Sequence, residues 1–143
     1  MNLPSLRLVF DTGLLVLIWM VQLIVYPSFQ FYSKNELIEW HEKYMVAISF
    51  IVIPLMLGQL MTSILQLTKE RNWFTIGSLT LIILVWLSTF AQFVPLHNTI
   101  SSGQATTQVL HELVLVNWLR TALWTFIFIW SFLNINQLSK HHN

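Results

Sequence analysis

Apolar residues occupy this chain in four long blocks, each closed by a short polar break. The first block, Leu8 to Tyr26, contains Asp11 and Gln22 and closes on Pro27, a residue that a helix interior accommodates poorly. The second runs from Tyr44 to Leu67 and carries Pro54 and Gly58, so a kink is expected near its middle. The third, Trp73 to Val94, closes on Pro95, and the fourth extends from Leu113 to Leu133. About 20 apolar residues in helical form cross a hydrocarbon core of about 30 Å. The pattern therefore predicts an all-α protein: one membrane domain, a four-helix transmembrane up-and-down bundle with spans near 8–26, 44–67, 73–94 and 113–133.

The breaks refine this picture. Residues 28–43 are polar and acidic, and the stretch NELIEWHEKY reads as an amphipathic helix lying at the interface. TKERN, at 68–72, is a tight charged turn between antiparallel neighbours, whereas Leu96 to Leu110 forms a longer connection with no lysine or arginine. The chain ends in a hydrophilic tail holding Lys140, His141 and His142. Arg7 followed by Leu14 to Val25 could imitate a secretory signal, but no small-x-small cleavage site follows, so the stretch is expected to stay as the first span.

Composition agrees with lipid as the solvent. Only 9% of the 143 residues are charged, against about 25% in soluble domains. Absence of cysteine excludes disulfides, thiolate catalysis and cysteine-ligated metal. A net charge of +1 without a basic run leaves no footprint for nucleic acid. Arg7, Lys69, Arg71 and Lys140 flank one side of the predicted bundle, and Lys34 and Lys43 the other. By the positive-inside bias both termini are expected in the cytoplasm. Trp19, Trp40, Trp73, Trp118 and Trp130 fall within reach of a boundary, where indole rings settle.

Two ionisable residues lie inside the predicted spans, and such groups either face the bundle interior or reach the interface. Asp11 shares a helical face with Gln22 and Tyr26; its shallow depth favours a wet boundary position. Arg120 lies roughly 10 Å below the end of the fourth span, on a stripe with Asn117, Thr121, Trp124, Phe128 and Ser131. It either snorkels outward to pair with Glu112 or lines an internal pocket. His41, His97 and His111 all border the same predicted exterior end. Imidazoles there could move protons or ligate a metal, or simply be solvated, since no dense ligand motif such as HExxH occurs.

The segments Phe93-Val94-Pro95-Leu96-His97-Asn98 and Asn117-Trp118-Leu119-Arg120-Thr121, with Pro27 closing the first span, resemble the signature stretches of the anthrone oxygenase-like family of small four-helix membrane proteins. The family pattern is similar to VPLNN at the end of the third span and WNxxRT within the fourth. His97 stands where asparagine is usual, and Val116 where tryptophan is common. Most members of that family have no assigned function; fungal members oxidise a polycyclic anthrone to a quinone with dioxygen. The resemblance implies a pocket for a flat hydrophobic substrate, with Asn98, Asn117 and Arg120 as donors to a phenolate or carbonyl oxygen.

The leading expectation is thus a membrane-embedded oxidoreductase or oxygenase-like protein with a polar pocket in the exterior half of the bundle, acting on a hydrophobic, aromatic small molecule. Its catalytic candidates are Arg120, Asn117, His97 and His111. Asn98, Gln22, Tyr26 and Trp124 are candidates for substrate binding, and His41, His97 and His111 for a histidine-ligated metal. The alternative is a non-enzymatic membrane subunit or small-molecule binder using the same pocket; a homo-oligomer is compatible with either, and a transporter comes third because four spans are few for a repeat architecture.

Overall fold

A computed structural model describes residues 2–141, the side chains of 138–141 excepted. Four helices form the bundle: α1 (Leu3–Phe31), α2 (Lys34–Lys69), α3 (Trp73–Ser101) and α4 (Thr107–His141). Each is long and apolar enough to cross a membrane, and no strand occurs among the described residues. Helix starts follow from side-chain caps. Asn2 accepts from Ser5 N–H at 3.0 Å with Pro4 just inside the helix, and Asn72 and Thr75 bond each other's backbone N–H groups at 2.9 and 3.0 Å. Such caps satisfy donors that the first turn leaves without a partner.

The breaks are shorter than the sequence pattern implies. NELIEWHEKY is not a separate interfacial helix; it forms the opening turns of α2, capped where Ser33 N–H donates to Glu36 Oε2 at 2.9 Å. The connection expected over 96–110 shrinks, because α3 runs to Ser101 and α4 begins at Thr107. The chain reverses there at Gly103, whose φ of 70° suits glycine. α4 likewise continues through the expected tail as far as His141; His142 lies outside the described residues.

Neither Pro27 nor Pro95 ends its helix. A π-turn precedes each one, at Val21–Val25 and at Thr89–Phe93, and the proline follows at the second position of the resumed α-helix. The wider turn closes on Tyr26 N–H to Val21 O and on Val94 N–H to Thr89 O. A proline interrupts the hydrogen-bond ladder, and an adjacent π-turn lets the helix re-form past the break. An inserted residue also rotates everything beyond it by about one helical step of 100°. Tyr26 and His97, both just past such turns, owe their directions to this.

Beside an apolar core that includes Leu14, Phe29, Ile82 and Ile127, burial departs from that of a soluble bundle. Phe50 is 78% exposed and Trp73 89%, while Arg7, Asp11, Gln59, Asn117 and Arg120 are buried. Large apolar side chains outside and polar ones inside suit hydrocarbon as solvent. Close approach of α1 and α2 needs Gly58, where a Cβ would sit 2.3 Å from Phe10 Cε1. Small residues at such crossings let membrane helices pack without a hydrophobic driving force.

Candidate functional site

At the end of the bundle carrying the 102–106 turn, a cavity of about 450 Å³ lies among all four helices. Its polar lining includes Tyr26 on α1, Tyr44 and Ser49 on α2, Thr89, His97 and Asn98 on α3, and Arg120 on α4. Ile18, Met56, Trp86, Phe90, Phe93 and Trp124 supply much of the apolar remainder. Ile53 and Leu57 of α2 and Phe90 and Val94 of α3 line it while being exposed on the outer surface. The mouth therefore opens sideways, between α2 and α3, toward the surface that faces lipid.

Arg120 does not snorkel outward. It is 7% exposed, with its guanidinium carbon 4.1 Å from the centroid of Phe93 and 5.0 Å from that of Trp124. Desolvated cation–π contacts of this kind contribute about 2 kcal/mol. Tyr26 and Tyr44 line the same cavity, and Arg120 Nε has no hydrogen-bond partner. The cavity therefore holds a fixed positive charge, flanked by hydroxyls and walled by aromatic rings. Such a place favours an oxygen that carries negative charge.

A line of hydrogen bonds leads away from it. Tyr26 Oη and His97 Nε2 are 3.1 Å apart, His97 Nδ1 and His41 Nε2 2.8 Å, and His41 Nδ1 and Ser101 Oγ 3.0 Å. The imidazoles stack at 5.0 Å between centroids. Each neutral imidazole has one N–H and one acceptor nitrogen, so the line is complete in either of two directions. In one, Tyr26 donates to His97, His97 to His41, and His41 to Ser101; in the other every bond is reversed. Changing from one to the other carries a proton between the cavity and Ser101, which is exposed.

Other predicted residues sit elsewhere. Gln22 and Asn117 are buried but line no part of the cavity. Asn117 Nδ2 donates to Gln22 Oε1 at 2.9 Å, Gln22 Nε2 donates to Val114 O at 3.3 Å, and Thr121 Oγ donates to Gln22 Oε1 at 3.3 Å. These bonds clamp α1 to α4, so Asn117, expected in catalysis, and Gln22, expected in substrate binding, stand beside the cavity lining and not in it. His111 is exposed and lines a separate groove of about 110 Å³ with Gln30 and Thr107, on the other side of Tyr26. It does not join His41 and His97, because it lies on a different face of the bundle. Among the described residues no three His, Asp or Glu side chains form a metal-binding group.

A second polar cluster fills the opposite half of the bundle. Arg7 and Asp11 are each 1% exposed, so Asp11 is not a wet boundary residue and Arg7 is not a flanking loop charge. Arg7 Nε stands 3.5 Å from Asp11 Oδ2, and Nη1 donates to Gln66 Oε1 at 2.7 Å and Ser78 Oγ at 3.0 Å. Gln59 Nε2 donates to Asp11 Oδ1 at 2.7 Å and accepts at Oε1 from Trp124 Nε1 at 3.2 Å. Trp124 thus joins the two halves: its ring carries Arg120, and its N–H is held by the Asp11 cluster. Two signals could have found the cluster: the i,i+4 spacing of Arg7 and Asp11, and the polar stripe Gln59, Thr62, Ser63, Gln66 at helical period. Ser101 had no comparable signal. Compared with known protein families, curated proteins and solved structures, the chain has no match.

Proposed function

We propose that this chain is a membrane-embedded oxidoreductase of the oxygenase type, acting on a hydrophobic aromatic molecule that carries a phenolic or carbonyl oxygen. The observation that carries the reading is the line from Tyr26 through His97 and His41 to Ser101, ending beside a buried cation in a mostly apolar cavity. Arg120 holds the substrate oxygen as charge builds on it. Tyr26 accepts the proton from that oxygen while passing its own to His97. Deprotonation makes the ring electron-rich, and dioxygen, soluble in hydrocarbon, is the oxidant. For an anthrone-type methylene the balance is CH2 plus O2 giving C=O plus water: one oxygen atom enters the product and the other leaves with both hydrogens. The likeness of the motifs around Pro95 and Arg120 to the anthrone oxygenase-like family supports the same reaction class.

Oxygen uptake with anthrone as probe, measured on the reconstituted chain, tests this. Arg120→Ala and His97→Ala, purified as folded protein, are expected to lose at least about 10² in rate, the usual worth of one oxyanion donor or one acid–base group. Parental rates in both would remove the site assignment. The same cavity also suits a carrier: stoichiometric binding of an aromatic molecule without oxygen uptake assigns that role instead.

We further place both termini in the cytoplasm. Lys69 and Arg71 support this, although Arg7, neutralised by Asp11 within the bundle, no longer adds to the bias.

A further inference from the structure

We propose that the natural ligand is a tailed amphiphile: a cyclic head bearing an acceptor oxygen, joined to an alkyl or isoprenoid chain that leaves the cavity over α2 and lies along the outer face of that helix. The proposal rests on the reading of the cavity given above and extends it to the substrate class.

Polar groups gather at one end of the cavity, where Tyr26, Tyr44, His97 and Arg120 converge. Outside it, the face of α2 is a shallow, open apolar surface made by Val46, Phe50 and Pro54 together with Met45, Ser49 and Ile53. These last three line the cavity as well. Their i, i+4, i+8 spacing makes them one stripe along the helix, so they form the sill between inside and outside. Ser49, the smallest of the three, is its low point. Its hydroxyl donates back to Met45 O at 2.6 Å and so offers hydrocarbon no free donor. Pro54, one residue past the sill, has no N–H to complete the helix ladder and perturbs the turn before it.

A head held at Arg120 therefore has a continuous apolar way out over Ser49 toward the bilayer. Lipid tails are as apolar as this face of α2, so the sill gives passage more than affinity, and the test has to be steric. The full chain in nanodiscs is titrated with decylubiquinone and with its tail-less parent, 2,3-dimethoxy-5-methyl-1,4-benzoquinone, each expressed as mole fraction in the bilayer. Ser49→Trp is expected to weaken the decyl compound at least about tenfold, as overpacking a filled passage does, while changing the tail-less compound less than about twofold. Equal losses for both, or no loss for either, overturn the tail route and leave the head site standing. Failure of both probes to bind the parental chain overturns the head site and the tail route together. Should Ser49→Trp not fold, a ubiquinone analogue with a diazirine in its tail decides the matter on the parental chain. Label concentrated on 45–54 supports the route, and label spread over all outward-facing apolar residues overturns it.

Discussion

Replacing Asp11 by alanine should destabilise the bundle more than any other single polar deletion outside the cavity. Asp11 Oδ1 accepts from Gln59, and Oδ2 is the carboxylate oxygen nearest the Arg7 guanidinium, at 3.5 Å. Both ions are 1% exposed, and no lysine, arginine, histidine, aspartate or glutamate other than Asp11 forms an ion pair with Arg7 among the described residues. Removing one partner of a buried pair leaves the other uncompensated, at a cost of about 3–5 kcal/mol. That is a large part of the roughly 5–15 kcal/mol that holds a domain folded, and it corresponds to a melting point lower by on the order of 10 °C. Gln59→Leu removes hydrogen bonds without leaving a bare charge. Interhelical hydrogen bonds in membranes average about 0.6 kcal/mol, so this variant should lose only a few degrees. The decisive comparison is the double variant Arg7→Met, Asp11→Asn, which removes both charges at nearly the same volume. It should recover most of the loss, since no uncompensated charge is left buried. Thermal unfolding in detergent, followed by fluorescence-detected size exclusion, reads all three. A double variant as unstable as Asp11→Ala would refute the electrostatic reasoning, because the damage would then be lost packing.

Gly58→Ala places a methyl 2.3 Å from Phe10 Cε1 and should cost about 1–3 kcal/mol by overpacking; adding Phe10→Leu should restore the parental melting point. A Gln22→Leu, Asn117→Leu pair should show a coupling energy of at least about 0.5 kcal/mol in a double-mutant cycle, since the two side chains bond each other at 2.9 Å, whereas strict additivity would mean that they do not act as one clamp. Topology is accessible because the chain has no cysteine of its own: Gln104→Cys should react with an impermeant maleimide on intact cells and Glu70→Cys only after permeabilisation, the reverse pattern placing the termini outside.

The four helices were legible in the sequence because each apolar block approaches the length that a hydrocarbon core demands, and a helix is the form in which one segment satisfies its own backbone there. Arg120 was legible only as far as two alternatives, an outward snorkel or an interior pocket, because a charge that deep has few places to go; its burial decided between them. The prolines misled, since a proline in sequence marks a broken hydrogen-bond ladder but not whether a π-turn repairs it, and the apparent ends at Pro27 and Pro95 proved to be continuations. Arg7 misled as well, because its position at the start of a span looks like a flanking charge until Asn2 and Pro4 are seen to begin the helix before it. The separation of His111 from His41 and His97 was not legible at all. Nearness to the same membrane face fixes depth but leaves the angle around the bundle free, and that angle is set by the two π-turns and by contacts between helices far apart in sequence. One-dimensional pattern thus determined helix number and the apolar character that suits lipid, but not the burial of Arg7 and Asp11; the rotation of each helix, and with it the pairing of Tyr26, His97 and His41 next to Arg120, came from the π-turns and tertiary packing.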